Sequence, residues 1–364
     1  MNLDYNEEQI MLREQIQKFC ESEYDFYKRE EVIKSDKHFD VEVWKLFADQ
    51  GWLSMPFSEE SGGLGFGPIE LSILFEEFGK ALVIEPYLAT VVLSGTLLDK
   101  STYAEKIDLI DKISSGDMHI SLGYAEADKG YDYLSPSTSL DSDNILNGTK
   151  TLVLNGSNAK KLIISCMKDK EFNLIILDSD TDGVSINSFL TVDGQSCSEI
   201  SFENVVVNDV NIVASGDEAI NLLNETINLA VLCVSAEAVG CMESCYFKTL
   251  EYTKGREQFG QPISNFQVLQ HRMVDMFIES ELAKSLLIKA MLEVNDNSEE
   301  MYRHVSALKS YIGKSGKLSA KEAVQLHGGM GVSEEMMIGH YLKKMISIDA
   351  LFGNADYHLK KFAS

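Results

Sequence analysis

Arg256-Glu257-Gln258-Phe259-Gly260-Gln261-Pro262-Ile263-Ser264-Asn265-Phe266-Gln267 interrupts two long helical patterns. Upstream, Ile220, Leu223, Ile227, Val231, Val234, Ala238, Met242 and Cys245 recur at spacings of three and four, which predicts one apolar helix face. Downstream, Phe266, Leu269, Met273, Met276 and Phe277 begin a second face. Gly260 and Pro262 forbid simple continuation of one helix into the other. The turn therefore sets one arginine, one amide and one aromatic ring beside helix ends. An arginine there can hold a phosphate by a forked, charge-assisted contact, and the next helix start offers free N–H groups. The bland alternative is a turn with an arginine on its surface.

Working outward, residues 1–116 read as mostly helical, with helical spacing over 7–19, 41–49 and 68–82. The break Ser61-Gly62-Gly63-Leu64-Gly65-Phe66-Gly67-Pro68 has neither the lysine of a phosphate loop nor a strand before it. It reads as a turn, with Pro68 at a first helical position. From His119 the period falls to two, and 119–124, 144–147, 150–154, 161–166, 172–177 and 200–207 are strand candidates. Asn147-Gly148 and Asn155-Gly156 predict tight turns between them. This small antiparallel β domain ends near Val213. No proline follows until Pro262, which leaves room for a helix of roughly forty residues. The resulting plan is α+β: an N-terminal helical domain (1–116), a middle antiparallel β domain (117–214) and a C-terminal four-helix bundle (215–364).

The 364 residues are 45% hydrophobic and 24% charged, as in a soluble globular protein. No apolar run approaches the roughly 20 residues of a membrane span. The opening MNLDYNEEQIMLREQ is neither a secretory signal nor a basic transit peptide, so a cytoplasmic address is expected. A net charge of −25 disfavours nucleic acid and anionic membranes, so an anionic ligand needs a local cluster of positive charge. The six cysteines are scattered without histidine partners and read as free core thiols, with no metal site.

Arg-x-Gln-Phe-Gly-x-Pro-Ile followed by Phe-Gln closely resembles a signature of the acyl-CoA dehydrogenase family, and Gln325-Leu326-His327-Gly328-Gly329-Met330-Gly331 resembles a second. The order helices, strands, helices matches that family from end to end. The resemblance implies FAD as cofactor. It puts Arg256, Gln258 and Phe259 on the FAD of a neighbouring subunit, and Gln325, Gly328 and Gly329 along the same cofactor. Without it, the adjacent glycines are a helix C-cap, and His327 is a packed or capping side chain.

Departures from the family pattern are as informative. Its usual Thr-Glu-Pro-x-x-Gly-Ser-Asp reads Ala125-Glu126-Ala127-Asp128-Lys129-Gly130-Tyr131-Asp132 here, and Trp-Ile-Thr-Asn reads Leu152-Val153-Leu154-Asn155. Ala125 and Leu154 supply no hydroxyl to a flavin edge. The family's usual base is a glutamate in Tyr-Glu-Gly-Thr, where this chain has Phe352-Gly353-Asn354-Ala355; an alternative family position falls on Ala230. Neither carries a carboxylate, and the catalytic base is unassigned, with Glu225, Glu237, Asp349 and Asp356 the nearby candidates. The ending LFGNADYHLKKFA is most similar to the small subunit of pimeloyl-CoA dehydrogenase-type two-subunit enzymes, relatives of which act on steroid side chains. The resemblance then implies an acyl-CoA substrate, dicarboxylyl or otherwise bulky. Its partner is a base-bearing acyl-CoA dehydrogenase subunit or a second copy, with an electron-transfer flavoprotein as acceptor. A self-sufficient enzyme with an atypical base, a non-catalytic partner subunit and a flavin monooxygenase on the same scaffold stay open.

Overall fold

The computed structural model describes residues 5–364. Its helices in chain order are α1 (Glu7–Glu23), α2 (Phe26–Ile33), α3 (Val41–Asp49), α4 (Pro68–Ala81), α5 (Thr96–Lys100), α6 (Lys106–Ser114) and α7 (Gly216–Gly255). They continue with α8 (Gln267–Asn295), α9 (Met301–His327), α10 (Met337–Ala350) and α11 (Ala355–Ala363). Local chemistry explains where several begin. Asn6 and Gln9 form a reciprocal capping box on α1, the Asp40 side chain caps α3, and Pro68 opens α4 while Glu70 bonds back to the Gly67 N–H. The glycine-rich break before α4 is the predicted turn.

Two compact units divide the chain. One holds the residues up to Arg29, Gly67–Val83 and Val231–Ser364; the other holds Glu30–Phe66 and Ile84–Ala230. The helix α7 is continuous over 40 residues, as its unbroken pattern predicts, and its stretch 231–255 belongs to the first unit. It meets α4 backbone to backbone. A Cβ on Gly79 would overlap the Glu237 carbonyl oxygen, and one on Gly240 would overlap the Glu76 carbonyl oxygen. Cys241 Sγ bonds the Gly79 carbonyl at 3.2 Å, and Lys344 pairs with buried Glu237 at 2.6 Å. Gly240→Ala should therefore force these helices apart and cost about 3 kcal/mol, more than its gain in helix propensity offsets. Urea unfolding checks this, and a variant as stable as the wild type would refute the close approach. By length and composition α7 could cross a bilayer, but most of its apolar stretch is buried within the protein.

In the second unit, eight strands form one sheet: β1 (Ile120–Gly123), β2 (Ser139–Leu140), β3 (Ile145–Leu154), β4 (Lys161–Lys168), β5 (Glu171–Asp178), β6 (Val184–Leu190), β7 (Ser196–Val206) and β8 (Ile212–Ser215). The order is β6-β7-β3-β2-β4-β5-β8, with β1 added beside β4. Pairing is antiparallel except that β1 and β2 run parallel to β4. Leu146, Val153, Leu162, Ile164, Ile175, Ile200 and Phe202 are among the side chains of its core. Asn155-Gly156 is the expected turn, with Asn155 at φ 55° leading into β4. Asn147-Gly148 is not a turn but lies inside β3. Gly148 is needed there because a Cβ would stand 2.5 Å from Thr138 Oγ1. The strands β6 and β8 escape a periodicity search: the first is mostly exposed and the second has four residues.

Candidate cofactor site

The Arg256 stretch forms a small hairpin at the end of α7. Arg256 N–H closes the last helical turn on the Tyr252 carbonyl at 2.9 Å. Strands β9 (Glu257–Gln258) and β10 (Gln261–Pro262) then pair, Gln258 opposite Gln261. The two loop residues, Phe259 and Gly260, have φ of 55° and 80°, the left-handed pair that a two-residue hairpin requires. Glycine takes that conformation freely, whereas a phenylalanine there is uncommon. Ile263 N–H returns to the Arg256 carbonyl at 2.8 Å and closes the loop. Arg256 and Gln258 are exposed, and Phe259 is 91% exposed. Among the described residues Arg256 has no ion-pair partner, in a chain of strongly negative charge. An unpaired guanidinium beside an exposed ring suits an anionic, flat ligand.

The second motif terminates α9. Gly328 adopts φ 61°, ψ −137°, a region open in practice only to glycine. A short 3-10 turn, Gly328–Val332, follows. A Cβ at Gly328 or Gly329 would meet nothing within 4 Å, so both present bare backbone to the outside, and Gln325 is exposed beside them. Gly331 serves packing instead: its Cβ would stand 2.6 Å from the Val324 carbonyl oxygen. His327 is buried, its Nδ1–H donating to the Ala323 carbonyl at 2.9 Å, and burial holds its pKa below the usual imidazole value. It is a packed capping side chain. Its ring stacks on Tyr252, which brings the two motifs to one end of the helical unit. All six residues assigned to the cofactor from the sequence therefore lie on this outward-facing end. The geometry fits a dinucleotide: open glycine backbone for a flat or phosphate-bearing group, and a free guanidinium for charge.

The β unit keeps Glu126, Gly130 and Asp132 of the family run but uses Glu126 structurally. Its carboxylate accepts Lys150 Nζ at 2.7 Å, Thr138 N–H and Oγ1 at 3.0 and 2.7 Å, and Ser137 N–H at 2.6 Å. Burial pushes this acid up, but the Lys150 and Thr138 bonds outweigh it and bring the pKa down to about 2. Lys150 is fully buried, which lowers its own pKa. At the second departure, Leu154 is 7% exposed and Leu152 sits at φ 53° within a register shift of β3. Only backbone groups can act there where the family has hydroxyls.

Each carboxylate weighed from the sequence as the base is paired with a lysine in the structure. Glu225 pairs with Lys100 on the surface at 2.9 Å, and Glu237 is held by Lys344. Asp349 pairs with Lys317 and accepts the Ala355 N–H at 3.0 Å; Asp356 is exposed and pairs with Lys314. Ala230 is fully buried. Gly353 has φ 114°, and a Cβ on it would overlap Tyr357 Cδ1 and stand 2.8 Å from His358 Nε2. Beneath this loop lies a residue that motif reading missed. Lys309 is fully buried and donates to the carbonyls of Ile348 (2.7 Å), Asp349 (3.2 Å) and Gly353 (2.8 Å). Burial brings its pKa down to about 7, against the opposing pull of Asp349. The available signal was a lysine on the apolar face of α9 defined by Val305, Ile312 and Gly316.

Family models for acyl-CoA dehydrogenases match in three segments: the N-terminal domain over residues 6–117, the middle domain over 121–205 and the C-terminal domain over 220–364. The probable acyl-CoA dehydrogenase YngJ of Bacillus subtilis (strain 168) is 28% identical over 358 residues, 94% of this chain and 93% of that protein. A solved variant of the Tcur3481-Tcur3483 steroid ACAD superposes with a TM-score of 0.89 at 25% identity, covering 98% of this chain and 97% of that one. The ChsE4-ChsE5 complex of Mycobacterium tuberculosis gives a TM-score of 0.91 at 22% identity, over 100% and 98% of the two chains, a likeness of fold.

Proposed function

Because the chain belongs to the acyl-CoA dehydrogenase family, we propose that it is the base-lacking subunit of a heteromeric FAD-dependent enzyme and works beside a base-bearing partner. When bound, FAD would supply the hydride acceptor for the β hydrogen of an acyl-CoA thioester, and a base would have to take the α proton. That base must lie within hydrogen-bond reach of the α carbon. The observation that carries the proposal is Gly353: the family's usual base position holds no side chain, and its Cβ direction is filled by Tyr357 and His358. On this chain Arg256 would neutralise an FAD phosphate, Gln258 and Phe259 would abut the cofactor, and Gln325, Gly328 and Gly329 would line its adenosine half. Each of these faces outward, which suits a cofactor shared with a neighbour. Val274, Phe277, Ile278 and Leu282 form an exposed apolar stripe on α8, which supports subunit association. An electron-transfer flavoprotein is the acceptor this chemistry would use.

Co-purification tests the proposal. The native complex should contain a second, glutamate-bearing acyl-CoA dehydrogenase subunit and be yellow. The chain purified alone should retain little FAD and oxidise no acyl-CoA thioester; full turnover by the pure chain would sink the proposal.

A further inference from the structure

At their tips the two outward-facing motifs make few side-chain contacts. In the hairpin, among the described residues Phe259 meets another ring at Phe266 alone, edge to face with centroids 6.1 Å apart, and a Cβ at Gly260 would meet nothing within 4 Å. In the Gly328–Val332 turn the first two residues have no side chain with which to anchor themselves. Both lead back to one joint. The Arg256 N–H bonds the Tyr252 carbonyl, and His327 is the residue immediately before Gly328. The rings of Tyr252 and His327, 75 residues apart in the chain, stack at a centroid distance of 4.1 Å and an interplanar angle of 21°. The Tyr252 hydroxyl also donates to the His327 carbonyl at 3.3 Å, the peptide link that begins the glycine turn. From its other side the His327 ring is fixed by its Nδ1–H on the Ala323 carbonyl, inside α9. The imidazole is thus held in one tautomer and one plane, and the phenol lies flat against it.

We infer that the Tyr252–His327 stack is a positioning pair that sets the spacing between the Arg256 guanidinium and the Gly328–Gly329 backbone. A dinucleotide bound in one conformation presents its phosphate and adenosine portions at one spacing, so two separate turns meet both at the least cost when their separation is set before binding. The stack and its hydroxyl bond join the helix ends from which the two turns spring, so a change at one ring is expected to reach the turn on the other side. This role rests on the assignment of both motifs to FAD.

The test uses the full chain in its co-purified assembly, with FAD as the probe. Tyr252→Leu and His327→Leu should each speed hydrogen exchange in both 256–263 and 328–332. Each should also weaken FAD binding by about tenfold or more, through lost pre-organisation, whereas Tyr252→Phe, which keeps the ring, should stay within about threefold. Tyr252→Phe should still speed exchange at 328–329, where the hydroxyl bond is lost, and it reads the coupling even if the leucine variants fail to fold. Arg256→Ala serves as the control on the cofactor assignment. If Arg256→Ala weakens FAD binding but Tyr252→Leu leaves it unchanged, or loosens the hairpin alone, the positioning role is wrong. If Arg256→Ala leaves FAD binding intact, the cofactor assignment fails instead, and the exchange data still decide whether the two turns are coupled.

Discussion

Gly353→Glu is expected to yield no acyl-CoA dehydrogenase from the isolated chain and to destabilise it by about 3 kcal/mol or more. Restoring a carboxylate at a lost base position would ordinarily be the first repair to attempt. Here the backbone forbids it. At φ 114° any side chain is strained, and the Cβ alone would overlap Tyr357 and crowd His358 Nε2. His358 cannot swing aside freely, since its Nε2–H donates to the Phe352 carbonyl at 3.1 Å and its Nδ1 faces Ser306 Oγ at 3.3 Å. Burial and the Lys309 charge bring that imidazole down to about 3, so it stays neutral and offers a new carboxylate no counter-charge at neutral pH. Lys309 holds the same loop from below through three carbonyls. Thermal unfolding and thioester oxidation, measured on the variant alone and with the proposed partner subunit, check the prediction. A stable Gly353→Glu chain that turns over acyl-CoA by itself would mean that the site is merely unoccupied rather than closed.

Lys150→Met should cost about 3–5 kcal/mol, because it strands the Glu126 carboxylate inside the β unit without its cation. The side chains of the pair are 0% and 3% exposed, so water cannot take over the lost contact. The pH dependence has a definite sign. Glu126 is depressed to about 2 from an ordinary 4.5, so its contribution is fully present above about pH 4.5 and disappears as pH falls toward 2. Once Lys150 is gone, burial pushes the same acid upward, and it can protonate instead of remaining a lone buried charge. The stability gap between wild type and variant should therefore be widest near neutrality and close as pH falls. The double variant Glu126→Gln with Lys150→Met should recover part of the loss, as replacement of both charged partners usually does. Urea unfolding at pH 7 and pH 3 provides the measurement, and an equal gap at both values would show that the pair contributes no charge-dependent stability.

Much of this was legible along the chain. The long spacing of Ile220 through Cys245 carried α7 almost to its end, and Pro68 and Asp40 mark helix starts without any tertiary information. The Arg256 and Gln325 motifs were recognisable from residue identity, as were the missing carboxylates at Gly353 and Ala230. Errors arose where one local signal has two structural meanings. Asn147-Gly148 looks like a turn, but its glycine is there to admit Thr138 against a strand. Lys309 belongs to no motif, and its partners are carbonyls about forty residues further on, beyond the reach of any local signal.

The order of helices and strands, the net negative charge and the absence of a carboxylate at both family base positions belong to the amino-acid string, because period, charge and residue identity need no fold to be read. The closing of the Gly353 position by Tyr357, His358 and Lys309, the use of Glu126 as a buried structural acid and the stacking of Tyr252 on His327 arise from folding. Each depends on which distant side chains converge in space, and convergence is set by the packing of whole helices and sheets rather than by any single stretch.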